Sequence, residues 1–299
     1  MIEDKIMEKS LMPGIVKRPI HKCTLEGNSS NDDFLRETNN DLVVLEEPLE
    51  ILLNGDLISI TMRTPGNDDF LAIGFLFSEG VIQNVSDLGT VTDSCQSDEG
   101  CNIINVSLPN KSSNVDKANG KKLRRGTLTS AACGVCGRQS IDDMLEICEK
   151  QSVDQTLTKE VVAQSTQILS DNQKNFSLTG GCHCAAVLTD KGAVLASYED
   201  IGRHNAVDKT IGYLIMKGIV SRPSENNGSD DKLPMILVVS GRLSFEIVQK
   251  SAVASIPVIA SVSAPSSLAV DLAEEVGITI ASFVRDSSFN LYTHPERIK

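Results

Sequence analysis

The sequence predicts a two-part α/β protein, a small α+β unit followed by a three-layer α/β domain with a mixed sheet. Three observations carry that expectation. From residue 158 onward, short apolar runs alternate with helix-length segments, the rhythm of a partly parallel sheet with helices on its faces. Between residues 42 and 108, a hairpin signal, an apolar helix and one more strand make a separate compact set. A polar stretch without periodicity, residues 109–132, lies between the two.

Residues 1–40 are polar and irregular, with Asn28-Ser29-Ser30-Asn31-Asp32-Asp33 in the middle, and read as a mobile tail or a surface strand. Strands over 49–53 and 56–62 flank Asn54-Gly55, a two-residue hairpin signal because its turn needs positive φ at both positions. Residues 67–80 carry Phe70, Leu71, Ile73, Phe75, Leu76 and Phe77 in a helix closed by Gly80. Residues 102–108 supply another strand. The polar 109–132 segment is expected to be a long loop, and long loops inside compact domains often serve binding. In the second half, a helix over 158–170 leads to a hairpin of strands 185–188 and 193–198, turning at Asp190-Lys191-Gly192. A helix over 203–217 places Val207, Ile211, Leu214 and Ile215 on one face. Strand 235–239, helix 244–255, strand 258–263, helix 266–276 and strand 278–284 complete the domain. Residues 223–231 form a polar insertion, expected to be a disordered surface loop. The expected partition is a polar N-terminal extension (1–40), a small α+β domain (41–110), a basic loop (111–139) and the α/β domain (140–299).

Composition excludes several classes. Hydrophobic residues make up 40% and charged residues 23%, as in soluble globular proteins. A net charge of −12 argues against a general nucleic-acid or membrane-surface binder. Aromatic content of 4% without tryptophan argues against base-stacking platforms. Residues 1–10 lack the apolar core of a signal peptide, and no apolar run approaches the roughly 18–20 residues of a membrane span, so a cytoplasmic location is expected. Eight cysteines in that compartment favour metal, catalytic or buried roles over disulfides. Cys23, Cys95 and Cys101 lie in polar, loop-like surroundings, whereas Cys148 shares an apolar helix face with Ile141, Met144 and Leu145 and reads as core.

Chemistry concentrates first in Cys133-Gly134-Val135-Cys136-Gly137. The box follows Lys117, Lys121, Lys122, Arg124 and Arg125 and precedes Ser140-Ile141-Asp142-Asp143, which has the form of a helix N-cap. Cations and a helix N-terminus both favour the thiolate, the reactive form of cysteine. The pair admits three functional readings, half of a zinc site, a dithiol redox pair or a sulfur carrier, beside that of an unreactive pair. Zinc needs two further ligands, and a strand through Cys182-His183-Cys184 would turn successive residues to opposite faces. A redox pair of thioredoxin type should follow a strand rather than a charged loop. Cys182 and Cys184 themselves read as small packed residues, and His183, after Thr179-Gly180-Gly181, reads equally well as a satisfied turn histidine.

A second set of groups suits an anionic ligand. Asp200-Ile201-Gly202-Arg203-His204-Asn205 enters a helix, where backbone N–H groups and the forked guanidinium of Arg203 bind phosphate or carboxylate. Ser240-Gly241-Arg242 follows one strand; Ser261, Ser263, Ser266 and Ser267 follow the next, although capping also explains Ser266. Phe283-Val284-Arg285-Asp286-Ser287-Ser288 ends the last. The element order with His204 at a helix start is similar to that of zinc-dependent deaminases. Their general acid/base should stand at residue 206, which is Ala206, and the Cys pair lies upstream instead of downstream, so that chemistry is not expected.

These motifs together resemble a known family. Glu47-Pro48-Leu49-Glu50, Met62-Arg63-Thr64-Pro65-Gly66, the Cys133–Gly137 box, Thr179-Gly180-Gly181, Gly202-Arg203-His204-Asn205-Ala206, Ser240-Gly241-Arg242 and Tyr292-Thr293-His294-Pro295-Glu296-Arg297 are similar, in order, to the formate dehydrogenase accessory sulfurtransferase family, FdhD. The resemblance implies a cytidine-deaminase-like fold for the larger domain and an α+β roll for the smaller. It implies a sulfurtransferase that accepts sulfur from a cysteine desulfurase as a persulfide. The sulfur would pass to the molybdenum, or tungsten, bis-molybdopterin guanine dinucleotide cofactor before its insertion into the formate dehydrogenase catalytic subunit. Cys133 matches the persulfide position and Cys136 an assisting one; Phe283, Val284, Arg285, Asp286, Ser287 and Ser288 match the cofactor-binding segment. Arg203, His204, Asn205, Gly241 and Arg242 are added from their own chemistry. No structural metal, nucleic acid or membrane partner is expected; a homodimer is an expectation from the family alone. The alternative is a chaperone that holds the cofactor without persulfide chemistry. The N-terminal 40 residues, the 223–231 insertion, and Cys182 and Cys184 depart from the family pattern, the last two leaving room for an added sulfur relay.

Overall fold

The computed structural model describes residues 14–24, 35–93, 102–109, 147–148, 150–152, 155–222 and 233–299. The Cys133/Cys136 box, the basic residues 117–125, the helix start at 140–143, Cys95, Cys101 and the 223–231 insertion lie outside the described residues.

The N-terminal region contains an antiparallel pair, β1 (Ile15–Thr24) and β2 (Leu35–Val44), registered from Ile15 opposite Val44. The surface-strand reading therefore holds over the tail reading there, and Cys23 sits exposed on β1 rather than in a loop. Next, β3 (Glu47–Leu53) and β4 (Asp56–Arg63) meet at Asn54-Gly55, whose φ values of 53° and 89° give the expected turn. The turn is tied down by Asn54 Oδ1, which accepts Leu108 N–H at 2.8 Å, and by Gly55 N–H, which donates to Asn105 Oδ1 at 3.0 Å. Helix α1 (Asp68–Ser78) follows, then β5 (Val91–Asp93) and β6 (Ile103–Val106). These strands form a sheet in the order β4-β3-β6-β5, with β3 and β6 parallel.

The second half runs α2 (Lys159–Asp171), α3 (Lys174–Thr179), β7 (His183–Leu188), β8 (Val194–Asp200), α4 (Arg203–Met216), β9 (Ile236–Val239), α5 (Phe245–Val253), β10 (Val258–Ser261), α6 (Ser267–Val276), β11 (Thr279–Arg285) and β12 (Ser288–Leu291). Its six strands are ordered β12-β11-β10-β9-β7-β8. Strands β9, β10 and β11 are parallel and the flanking pairs antiparallel, which makes the sheet mixed, as predicted. Successive residues of the central strands enter different cores, as a period of two requires. Ile236, Val238, Val258 and Ala260 pack with Leu157, Val162 and Leu169 at α2. Leu237, Val239, Ile259 and Ile280 pack with α4, α5 and α6 on the other face. Helices on both faces give the three layers.

The α4-side core continues into the small unit, taking in Leu49, Ile51, Ile104, Val106 and the α1 side chains Leu71, Ile73, Leu76 and Phe77. Helices α1 and α4 cross backbone to backbone. A Cβ on Gly212 would run into the Phe70 carbonyl oxygen and lie 2.9 Å from Gly74 N; a Cβ on Gly74 would run into the Asp208 carbonyl oxygen. Only residues without a Cβ permit that approach. With α1 on one side and the sheet on the other, α4 is buried at ten positions, including the charged Asp208 and Lys209. The pair Asp208 and Lys250 is buried there, with Nζ 2.7 Å from Oδ1, and Ser78 Oγ donates to the same carboxylate at 3.1 Å.

Candidate functional site: the carboxyl edge of the large sheet

Strands β9, β10 and β11 end along one edge of the large sheet. Strand β7 runs antiparallel to β9 and starts at that edge, and β8 ends there with Asp200 opposite His183. The topology therefore gathers His183, the α4 start, Ser240–Arg242 and the 283–288 segment on one rim. Rims of this kind are where open α/β sheets bind ligands.

Asp200 sets the α4 start. It is fully buried, and its Oδ1 accepts Gly202 N–H at 2.8 Å and Asn205 Nδ2–H at 3.1 Å. Its Oδ2 accepts Thr64 N–H at 3.1 Å and pairs with Lys209 Nζ at 2.7 Å. Lys209 Nζ also donates to the Thr64 carbonyl at 2.7 Å, and Ile201 N–H to Thr64 Oγ1 at 3.0 Å. One carboxylate thus locks the β8–α4 junction onto the residues that follow β4.

From this anchored start, Arg203 and His204 reach the rim while Asn205 turns inward. Asn205 Nδ2 also donates to the Met62 carbonyl at 2.8 Å, and its Oδ1 accepts Thr61 Oγ1–H at 3.3 Å. Its amide is committed to holding the two halves together. Arg203 is half-buried, and its Nε has no hydrogen-bond partner. His204 Nε2 stands 3.0 Å from Ser244 Oγ and 3.1 Å from Glu246 Oε2. Burial, with Lys250 and Arg203 nearby, lowers His204 to about 3, which favours a neutral ring between the Ser244 hydroxyl and the Glu246 carboxylate. Burial raises Glu246, opposed by Lys250 and Arg203. Ser244 is the N-cap residue of α5 but makes no side-chain cap bond. Its hydroxyl serves the histidine instead.

On the next strand ends, Gly241 is buried and its carbonyl accepts Ser261 Oγ–H at 2.7 Å, while Arg242 is exposed. Ser261 Oγ also accepts Ser263 N–H at 3.0 Å, and Ser266 caps α6 through Ala269 N–H at 3.2 Å. In the last segment the register of β11 shifts between Ser282 and Arg285. Phe283 there has φ 56° and is 40% exposed; Val284 is fully buried in the α2-side core. Positive φ on a bulky residue costs roughly 1–3 kcal/mol and is concentrated at binding sites. Arg285, Asp286, Ser287 and Ser288 are exposed, with Asp286 at φ 51° in the turn to β12. The edge thus offers Arg203, Arg242, Phe283 and Arg285 to a ligand, whereas His204 is engaged by Ser244 and Glu246, and Asn205 and Val284 face inward.

His183 and Ser240 lie in motifs singled out above, whereas Glu246 carries no sequence signal of its own. His183 Nδ1 lies 3.3 Å from Ser240 Oγ, and Glu246 meets His204 from α5. A carboxylate in the first turn of a helix reads as ordinary dipole compensation, so Glu246 had no distinguishing mark. Cys182 and Cys184 are buried, as packing predicts. Burial raises their thiols to about 11 and about 12. At about pH 8 roughly one Cys182 in a thousand would be thiolate. Maleimide should therefore label exposed Cys23 in the native protein and reach Cys182 and Cys184 only after denaturation. Rapid native labelling of either buried thiol would revive the relay idea.

Among the described residues, no group of three or more His, Cys, Asp or Glu side chains is placed to hold a metal ion, and no helix is long and apolar enough to cross a membrane.

Comparison with known proteins joins these observations. Residues 44–299 match the model of the FdhD/NarQ family. A protein named sulfur carrier protein FdhD from Anaeromyxobacter sp. (strain K) is 46% identical over 263 residues, covering 87% of this chain and 90% of that protein. One of the same name from Sulfolobus acidocaldarius is 42% identical over 270 residues, covering 89% and 94%. The crystal structure of a provisionally assigned formate dehydrogenase accessory protein from Desulfotalea psychrophila superposes with a TM-score of 0.67 at 24% identity, covering 95% of this chain and 99% of that one. That likeness shows a shared fold.

Proposed function

Because the chain belongs to the FdhD/NarQ family, we propose that it is a sulfur carrier acting as a sulfurtransferase in formate dehydrogenase maturation. The observation that carries this reading is the 46% and 42% identity, over most of the chain, to proteins named as sulfur carriers. On this reading the thiolate of Cys133 attacks the outer sulfur of a persulfide held by a cysteine desulfurase. A new S–S bond forms on Cys133 and the donor cysteine leaves as its thiolate. The five basic residues between 117 and 125 favour the attacking anion, and Cys136 assists.

The cargo in this proposal is the molybdenum or tungsten bis-pterin guanine dinucleotide cofactor, delivered to the formate dehydrogenase catalytic subunit. Support comes from the sheet edge. Arg203 and Arg242 suit pyrophosphate, Arg203 Nε is buried without a partner, and the exposed Phe283 ring suits stacking on guanine. A cytidine-deaminase-like layout for the larger part, a roll for the smaller, a homodimer and a cytoplasmic location belong to the same proposal.

Incubation with a cysteine desulfurase and cysteine should add one sulfur atom to the protein by mass spectrometry, and Cys133→Ala should abolish the adduct. Absence of any adduct on the wild-type chain would overturn persulfide carriage. If Cys133→Ser restores formate dehydrogenase activity in a deletion strain, the non-covalent chaperone takes its place.

A further inference from the structure

The rim holds a second histidine that sulfur carriage does not use. Ser240 Oγ accepts Cys184 N–H at 3.0 Å and lies 3.3 Å from His183 Nδ1. One hydroxyl lone pair is therefore taken. The hydroxyl hydrogen can donate to Nδ1 of a neutral ring, and after rotation the second lone pair can accept Nδ1–H of a protonated one. The ring can gain a proton without losing this hydrogen bond, and in both states Nε2–H remains a donor.

A Cβ on Gly241 would stand 3.2 Å from His183 Nδ1, 3.3 Å from Cε1 and 3.5 Å from Arg203 Cδ. Imidazole and arginine stem thus close on the same point of backbone at the end of β9. The charged and titratable groups around the ring are Arg203 and His204 from the start of α4, Asp200 from the end of β8, and Arg242 after β9. Asp200 is already paired with Lys209. Neither arginine takes part in an ion pair among the described residues. Burial, then Arg203, lowers His183 below its ordinary value; Arg242 adds to this and Asp200 opposes it. Two cations that form no ion pair among the described residues, Arg203 feeling only the more distant Glu246, stand beside a half-buried imidazole and make a place for a multiply charged anion.

We propose that His183 is a third anion-binding side chain of this sheet edge, beside Arg203 and Arg242, and that a pyrophosphate-bearing ligand binds there together with one proton taken up by the ring. The inference rests on the reading that the cargo is a guanine dinucleotide. An anion between the cations reverses their effect on His183 and raises it. Affinity then increases as pH falls through the raised value of the complex, by up to about tenfold per pH unit, and levels off below the lowered value of the free protein.

The probe is diguanosine pyrophosphate, whose diester phosphates stay ionised throughout the neutral range. Calorimetric titration at about pH 6 and about pH 8, in buffers of different ionisation enthalpy, reads both affinity and proton uptake. The wild type and a His294→Gln control should bind tighter at the lower pH with uptake approaching one proton; His183→Gln should bind with nearly pH-independent affinity and no uptake. Binding without pH dependence in the wild type, or uptake persisting in His183→Gln, overturns the role of His183 and leaves the cargo reading standing. No binding at either pH overturns both. Should His183→Gln not fold, NMR titration of the wild-type His183 ring decides: its pKa must rise when the probe is added, and an unchanged value overturns the proposal.

Discussion

Replacing Gly212 with alanine is expected to lower stability by about 3 kcal/mol or more, against a usual overpacking cost of about 1–3 kcal/mol. The new methyl would run into the Phe70 carbonyl and lie 2.8 Å from its carbon, so no rotamer can relieve it; backbone meets backbone. Separating the helices would loosen Leu71, Ile73, Leu76 and Phe77 from a core that contains residues of both halves. The sign is diagnostic. On an exposed helix, Gly→Ala stabilises by roughly 1 kcal/mol through propensity alone. A thermal melt should show Tm falling by about 5–10 °C. An unchanged or higher Tm would mean that the two helices do not cross at contact distance.

Removing the Asp200 carboxylate should be comparably damaging and should also reach the ligand edge. Asp200→Ala leaves Lys209, 2% exposed at its side chain, buried without its counter-charge. It also strips an acceptor from Thr64 N–H, Gly202 N–H and Asn205 Nδ2–H. Breaking one side of a buried pair costs about 3–5 kcal/mol. Because the same carboxylate sets the α4 start, Arg203 should lose its fixed position. Binding of diguanosine pyrophosphate should weaken along with stability, measured below the melting temperature of the variant. Denaturant midpoints within error of the wild type would show that Asp200 is dispensable as an anchor.

The regular elements were legible wherever their apolar pattern was strong. The Asn54-Gly55 hairpin, α1, α4 and the alternating strands and helices after residue 235 follow directly from periodicity and turn chemistry. Elements lacking such a pattern escaped. Helix α3 is six residues with few apolar positions, β5 is three residues, and β12 is read from Ser288-Phe289-Asn290-Leu291 only once β11 is there to pair with it. The burial of Asp208 and Lys209 was hidden for a different reason. On a helix covered from two sides, charged residues opposite the apolar stripe look solvated in sequence but face α1 and its neighbours. The edge itself was foreseeable from strand ends and Gly-Arg motifs. What could not be read was which side chain of Arg203-His204-Asn205 turns inward, because that depends on Asp200 and on residues about 140 positions earlier, Thr61 and Met62.

The crossing of α1 and α4 also bears on how the chain is made. Translation completes α1 long before the helix that covers its second face exists. The Ser78–Asp208 hydrogen bond spans 130 residues, which is on the order of ten seconds of synthesis at typical rates. Throughout that interval the nascent small unit presents an apolar helix face with nothing folded to receive it. Truncations ending before α4 should accordingly be captured by chaperones or aggregate, and the protein should reach its native state only as one late, cooperative event.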